Sequence, residues 1–117
     1  MKTLTVLKNV LDLYSDKTRW VQETYHDIVP GTTRKQCYCL VGGVRKAITG
    51  TPYRPKEGSG EYDTYSAVLA RLVPFTPGHA GDNEGQVIGW NDTHGRTIGE
   101  IRTALRKAIK AEEKAAA

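Results

Sequence analysis

The residues best suited to chemistry in this chain are gathered at positions 90–100, "WNDTHGRTIGE". A large aromatic ring, an amide, a carboxylate, an imidazole and a guanidinium follow one another here, directly before a run with helical spacing. Arg96 falls beside the start of the expected helix, where open amides and the dipole favour an anion. A guanidinium at that point adds a two-pronged donor for phosphate or carboxylate. Around a pocket near Trp90–Arg96, Trp20 from earlier in the chain, or the tyrosines, would offer aromatic walls on which a ring stacks. Asn91-Asp92-Thr93 suits an Asx-type turn, and Gly95 suits a left-handed position. The competing reading of Arg96 is an ion pair with Asp92 or with a carboxylate from another helix. Thr97 and Glu100 need no ligand to explain them, because Thr-x-x-Glu is a capping box.

Other chemistries find weaker support. The metal-ligand types are Cys37, Cys39, His26, His79 and His94. Structural zinc sites space their cysteines two to four residues apart, and Cys-x-Cys on a helix would turn the two thiols to nearly opposite sides. No metal or other cofactor is therefore expected. Cys37 follows Arg34 and Lys35, which would favour a thiolate, but no His-Asp arrangement completes a nucleophilic site. Asp92 with His94, or Glu23 with His26, could do acid–base work, and each pair is equally explained by a turn or an exposed face. Gly42-Gly43 lacks the spacing and the lysine–hydroxyl pair of a phosphate loop.

These residues must be positioned by helices. Leu4, Leu7, Val10, Leu11 and Tyr14 form one apolar stripe, and Ser15-Asp16 then stops this helix or caps the next. A second helix is expected over 17–26, burying Trp20, Val21, Thr24 and Tyr25. Pro30-Gly31 breaks the pattern, and 27–36 reads as a loop. A third helix is expected over 37–48, with a strand over 37–41 as its rival, since short apolar runs are ambiguous. Gly42-Gly43 inside it implies close approach of another helix, because glycine costs about 1 kcal/mol against alanine in a helix. Residues 49–61 read as a loop and 62–73 as a helix with Tyr65, Val68, Leu69 and Leu72 inward. Residues 74–89 read as a second long loop, of a length that is uncommon unless functional. The last helix is expected over 98–113, with Ile101, Leu105, Ala108 and Ile109 inward. The fold class that follows is all-α: an irregular bundle of about five helices with two long loops, one domain over 1–117.

On the outer face of the last helix, Arg102, Arg106, Lys110 and Lys114 recur every four residues. Such a row repels itself by a few tenths of a kcal/mol per pair. It reads either as a solvated face or, at Arg102, Arg106 and Lys110, as a docking surface for an acidic partner. The chain has 117 residues, 38% hydrophobic and 26% charged, a globular rather than disordered balance. The net charge of +4 leans mildly toward anionic partners. Nothing marks the last helix as a base reader, so nucleic acid is a less favoured partner. No apolar run is long enough to span a bilayer and no signal peptide is evident, so a cytoplasmic location is expected, the host cytoplasm if the chain is phage-encoded. Two cysteines make no disulfide framework, consistent with reduced thiols.

Three segments taken together, "RWVQ" (19–22), "CYCLVGG" (37–43) and "WNDTHGRTIGEIRTAL" (90–105), resemble a family of small uncharacterised proteins of bacteria and their phages. The shared pattern is Trp-x-Gln, Cys-Leu-x-Gly and Asn-Asp-x-x-Gly-Arg-Thr, in that order. The resemblance marks Trp20, Gln22, Cys39, Leu40, Gly42, Asn91, Asp92, Gly95, Arg96, Thr97 and Glu100, and implies no activity. The sequence thus leads to a small non-enzymatic binding protein for an anionic or nucleotide-like ligand or a host factor, with a counter-defence or regulatory role. Its expected ligand-binding residues are Trp20, Gln22, Trp90, Asn91, Asp92, Arg96 and Thr97. The alternatives are a small hydrolase or transferase acting on a phosphorylated ligand, and a protein-interaction module using the basic last helix. A homo-oligomer is compatible with all three.

Overall fold

A computed structural model describes residues 1–116. Five α-helices carry the fold: α1 (Thr3–Leu13), α2 (Leu40–Thr49), α3 (Gly60–Leu72), α4 (Asn83–Asn91) and α5 (Ile98–Ala116). A two-stranded antiparallel sheet, β1 (His26–Ile28) and β2 (Gln36–Tyr38), lies between α1 and α2 in the chain, so the architecture is mostly helical and not all-α. The apolar stripe of α1 packs against α5 and α2, and α3 closes the layer beneath α2 and α4. Val6, Leu7, Val10, Leu40, Val41, Val44, Val68, Leu72, Ile101 and Leu105 form the shared core.

Residues 17–26 do not form the expected helix. Asp16 caps only one 3₁₀ turn, Lys17–Arg19, by accepting the Thr18 amide. The chain then meets β2 only at Trp20 and Val21, where the Val21 amide donates to the Tyr38 carbonyl and a bridge at Trp20 extends the small sheet, before it bends through residues 22–25. Tyr25, expected inside, is half-exposed. The apolar spacing of 17–26 is compatible with a helix, but the backbone partner at β2 and the anchors described below hold it in an irregular, non-helical path.

The expected helix over 37–48 begins at Leu40 instead. Cys37 and Tyr38 belong to β2, so the strand rival holds over its first residues. Cys39 is the cap, its sulfur accepting the Gly42 amide. Gly42 and Gly43 are required by close approach, though not of another helix at Gly42. A Cβ at Gly42 would overlap the Tyr25 carbonyl, and one at Gly43 would overlap the Tyr14 hydroxyl. That buried hydroxyl donates to the carbonyls of Cys39 (2.6 Å) and Tyr38 (3.1 Å).

Residues 74–89, expected as loop, contain a 3₁₀ turn and most of α4. Asp82 caps α4 by accepting the Gly85 amide, and Val87 and Trp90 are its buried face. Gly89 leaves space for the His79 ring to pack on the helix. No helix among the described residues is long and apolar enough to cross a membrane.

Candidate functional site

The residues singled out by sequence are divided among three places. The first is a joint between the 20–23 segment and the end of α4. Asn91, the last residue of α4, is fully buried. Its Oδ1 accepts from Trp20 Nε1 (2.7 Å) and from the Leu40 amide (3.0 Å). Its Nδ2 donates to the Val21 carbonyl (3.2 Å) and to Asp92 Oδ1 (2.9 Å). Gln22 Nε2 donates to the carbonyls of Asn91 and Thr93, each at 2.9 Å. Asp92 Oδ1 also accepts the Glu23 amide (2.9 Å), which holds Glu23 at φ 70°. So Trp20 Nε1, Gln22 Nε2 and both polar atoms of the Asn91 side chain are spent on the chain itself. Asn91 also satisfies an open amide at the start of α2, a remote cap. Asn91-Asp92-Thr93 is therefore a helix end rather than the expected Asx turn.

The second place is a groove of about 470 Å³ beside the start of α5, lined by Phe75, Trp90, Arg96, Gly99, Glu100 and Lys107 among others. Gly95, at φ 84°, turns the chain into it, as its left-handed position requires. The Arg96 guanidinium lies on the Trp90 ring, 4.1 Å from its centroid. It is fixed there by Nε donating to the Trp90 carbonyl (2.9 Å) and by Nη1 to Glu100 Oε2 (3.2 Å). Arg96 does form an ion pair, but with Glu100 of α5, the helix it leads into, and with neither of the expected partners, Asp92 or a carboxylate of another helix. The capping box is present in full: Glu100 Oε1 accepts the Thr97 amide (2.9 Å), and Thr97 Oγ1 accepts the Glu100 amide (3.2 Å). The Thr97 amide first, with Arg96 beside it, holds the Glu100 carboxyl below its ordinary 4.5. The amides of Ile98 and Gly99 precede the first intrahelical acceptor and stay open. Gly99 has neither a positive φ nor a close neighbour to require it, since a Cβ there would meet only Thr97 Oγ1, at 3.7 Å. The lining charges are Arg96, Lys107 and Glu100, a net single positive charge added to the helix dipole.

The third place is the outer face of α5. Arg106 and Lys110 are exposed, but Arg102 is half-buried. Its Nε donates to the Tyr14 carbonyl (2.7 Å) and its Nη2 to that of Ser15 (3.0 Å). Arg102 therefore closes the C-terminal end of α1, and the free basic row shortens to Arg106, Lys110 and Lys114.

Sequence reasoning missed a fourth cluster entirely. Arg45, on α2, is buried, with its guanidinium 4.3 Å from the Tyr25 ring centroid. It pairs with Glu84 Oε2 (3.3 Å), and its Nε donates to the Tyr65 hydroxyl (3.1 Å). Tyr65 in turn donates to Glu84 Oε2 (2.5 Å). Burial first, and the Glu84 bond second, push the Tyr65 phenol up. Arg45 sits between Val44 and Lys46 in a helix, and nothing in its immediate sequence marks it as buried. Only α4, read as loop, reveals its partner. Elsewhere, burial raises both thiols, and Cys37 and Cys39 are free and buried. No group of three His, Cys, Asp or Glu side chains among the described residues is arranged to hold a metal ion.

The model of a family of unknown function, DUF6197, matches residues 1–111. The chain belongs to this family. The match takes in all three sequence segments and runs into α5, so the joint, the groove and the Arg45 cluster all lie within DUF6197. No curated protein and no solved structure matches the chain.

Proposed function

We propose that the protein is a small non-enzymatic binding protein that takes an anionic, ring-bearing ligand of the nucleotide type in the groove beside the start of α5. One observation carries the reading: a guanidinium fixed over an indole, 4.1 Å from its centroid, in a groove also lined by Gly99 of the first turn of α5, whose amide is open. Two donors of Arg96 are spent on fixing it, which pre-orients the remainder and lowers the ordering cost of binding. Lys107, two turns further along α5, supplies a second cation to the lining. Gly99, which nothing in the fold demands, leaves the helix edge bare for a ligand oxygen. Glu100 opposes an anion, and its binding to Thr97 and Arg96 keeps it against the cap. Trp20, Gln22 and Asn91 would act in this reading by positioning α4, and Trp90, Arg96 and Thr97 by lining the site.

The test is a thermal-shift screen against nucleotides, cyclic dinucleotides, sugar phosphates and inorganic phosphate, with each mixture then checked by mass spectrometry. A ligand at a hundred times its Kd stabilises by about 2.7 kcal/mol. A shift with intact ligand, lost in Arg96→Ala, supports the reading. Consumption of the ligand would replace it with the hydrolase or transferase alternative. A protein partner on Arg106, Lys110 and Lys114 is the second reading. It is favoured by the exposure of that row and would appear as salt-sensitive binding without a small-ligand effect.

A further inference from the structure

A cleft of about 330 Å³ opens between α3 and the start of α4, lined by Arg54, Tyr62, Tyr65, Leu69, Asp82 and Glu84 among others. It shares no residue with the groove at α5. Its carboxylate is already set without help from the surface: the buried Arg45 and the Tyr65 hydroxyl both hold Glu84 Oε2. A second guanidinium then comes to the same oxygen from outside. Arg54 Nε is 3.6 Å from Glu84 Oε2, Arg54 Nη2 donates to the Tyr62 hydroxyl (3.2 Å), and the guanidinium lies 5.5 Å from the Tyr62 ring centroid. Arg54 belongs to the irregular stretch between α2 and α3, and its side chain is 47% exposed. Asp82 lines the cleft too, fixed by its bond from the Gly85 amide (2.7 Å).

We propose that this cleft is a recognition site for an arginine side chain on a peptide partner, and that Arg54 occupies it in the free protein as a tethered stand-in. The cleft offers what a guanidinium needs: an aromatic face, a fixed carboxylate and a second carboxylate at the edge. A lysine has no plane to stack and no fork to match Glu84. Arg54 is displaceable because an exposed ion pair of this kind contributes little. Glu84 stays oriented when Arg54 leaves, because its two inner partners remain.

The probe is Nα-acetyl-arginine methylamide, titrated by amide NMR into wild type and Arg54→Ala, with the capped lysine and alanine analogues as controls. Arg54→Ala should bind the arginine probe roughly two- to five-fold more tightly than wild type, the gain from removing a weak surface competitor. The shifts should centre on Tyr62, Tyr65 and Glu84. Asp82→Asn in the Arg54→Ala background keeps the helix cap and should weaken binding, with an unchanged melting temperature as the folding control. Should Arg54→Ala fold poorly, Arg54→Gln serves in its place. The proposal is overturned if the freed cleft gives no shifts, or if the lysine or alanine probe binds as well as the arginine one.

Discussion

Replacing Asn91 by alanine removes four hydrogen bonds at one stroke, and its cost follows from what is left behind. The Leu40 amide has no other acceptor and lies in the core, so leaving it unpaired costs about 1–3 kcal/mol. Trp20 Nε1 and the Val21 carbonyl are on half-buried residues that water partly reaches, and they add about 1 kcal/mol together. The volume lost in a fully buried site adds about 1 kcal/mol more. The sum is about 3–5 kcal/mol, a large share of the 5–15 kcal/mol typical of a domain. Urea unfolding followed by tryptophan fluorescence should show a midpoint lower by about 2 M with an unchanged slope. Trp20→Phe removes only the indole donor and should cost about 1 kcal/mol. Because both changes break the same bond, the double variant should lose less than the sum. A loss below about 1 kcal/mol for Asn91→Ala, or strict additivity with Trp20→Phe, would refute the joint as the element that locks α4 to α2.

Thr97→Ala should lower stability by about 1 kcal/mol through the lost cap, measured by the same unfolding assay. Gly42→Ala should cost about 1–3 kcal/mol and move the amide resonances of residues 22–26, because the added Cβ displaces the Tyr25 carbonyl. Glu100 has a folded pKa below its unfolded one, so its contribution is present above about pH 4.5 and is lost as pH falls through the folded value. Glu100→Gln should therefore flatten the stability curve below about pH 5 and leave its slope near neutrality unchanged. Cys37 and Cys39 should both resist a thiol reagent in the native state and react fully in denaturant; fast labelling of the native protein would contradict their burial.

The sequence was legible where local chemistry decides structure. The stripes of α1, α3 and α5, the left-handed Gly95 and the Thr97–Glu100 box all follow from spacing and capping, and the structure contains them. It was opaque where a distant partner decides. Five helices were expected and five exist, but the agreement in number hides an exchange: 17–26 is a 3₁₀ turn followed by an irregular, bent segment, and α4 was read as loop. Residues 17–26 carried a helical pattern that lost to the bond at Tyr38 and the anchors on Asn91 and Asp92. In α4, Gly85 and Gly89 lowered the expectation of a helix, while Asp82 as a cap with Glu84 in the first turn was the signal that argued for one. At the site, the closeness of Trp90 and Arg96 was readable from their spacing. The uses of Trp20 and Gln22 were not, because their partners lie about seventy residues away. Arg45 and Glu84 were missed for the same reason.

The most direct test of the binding groove is an amide NMR titration of the wild-type protein with the ligand that gives the largest thermal shift, repeated on Arg96→Ala. Saturable shifts are expected at Ile98, Gly99, Glu100 and the Trp90 indole, absent in a folded Arg96→Ala. Shifts confined to another face, or binding undiminished in Arg96→Ala, would contradict this and leave residues 90–100 as a helix cap with a stacked arginine.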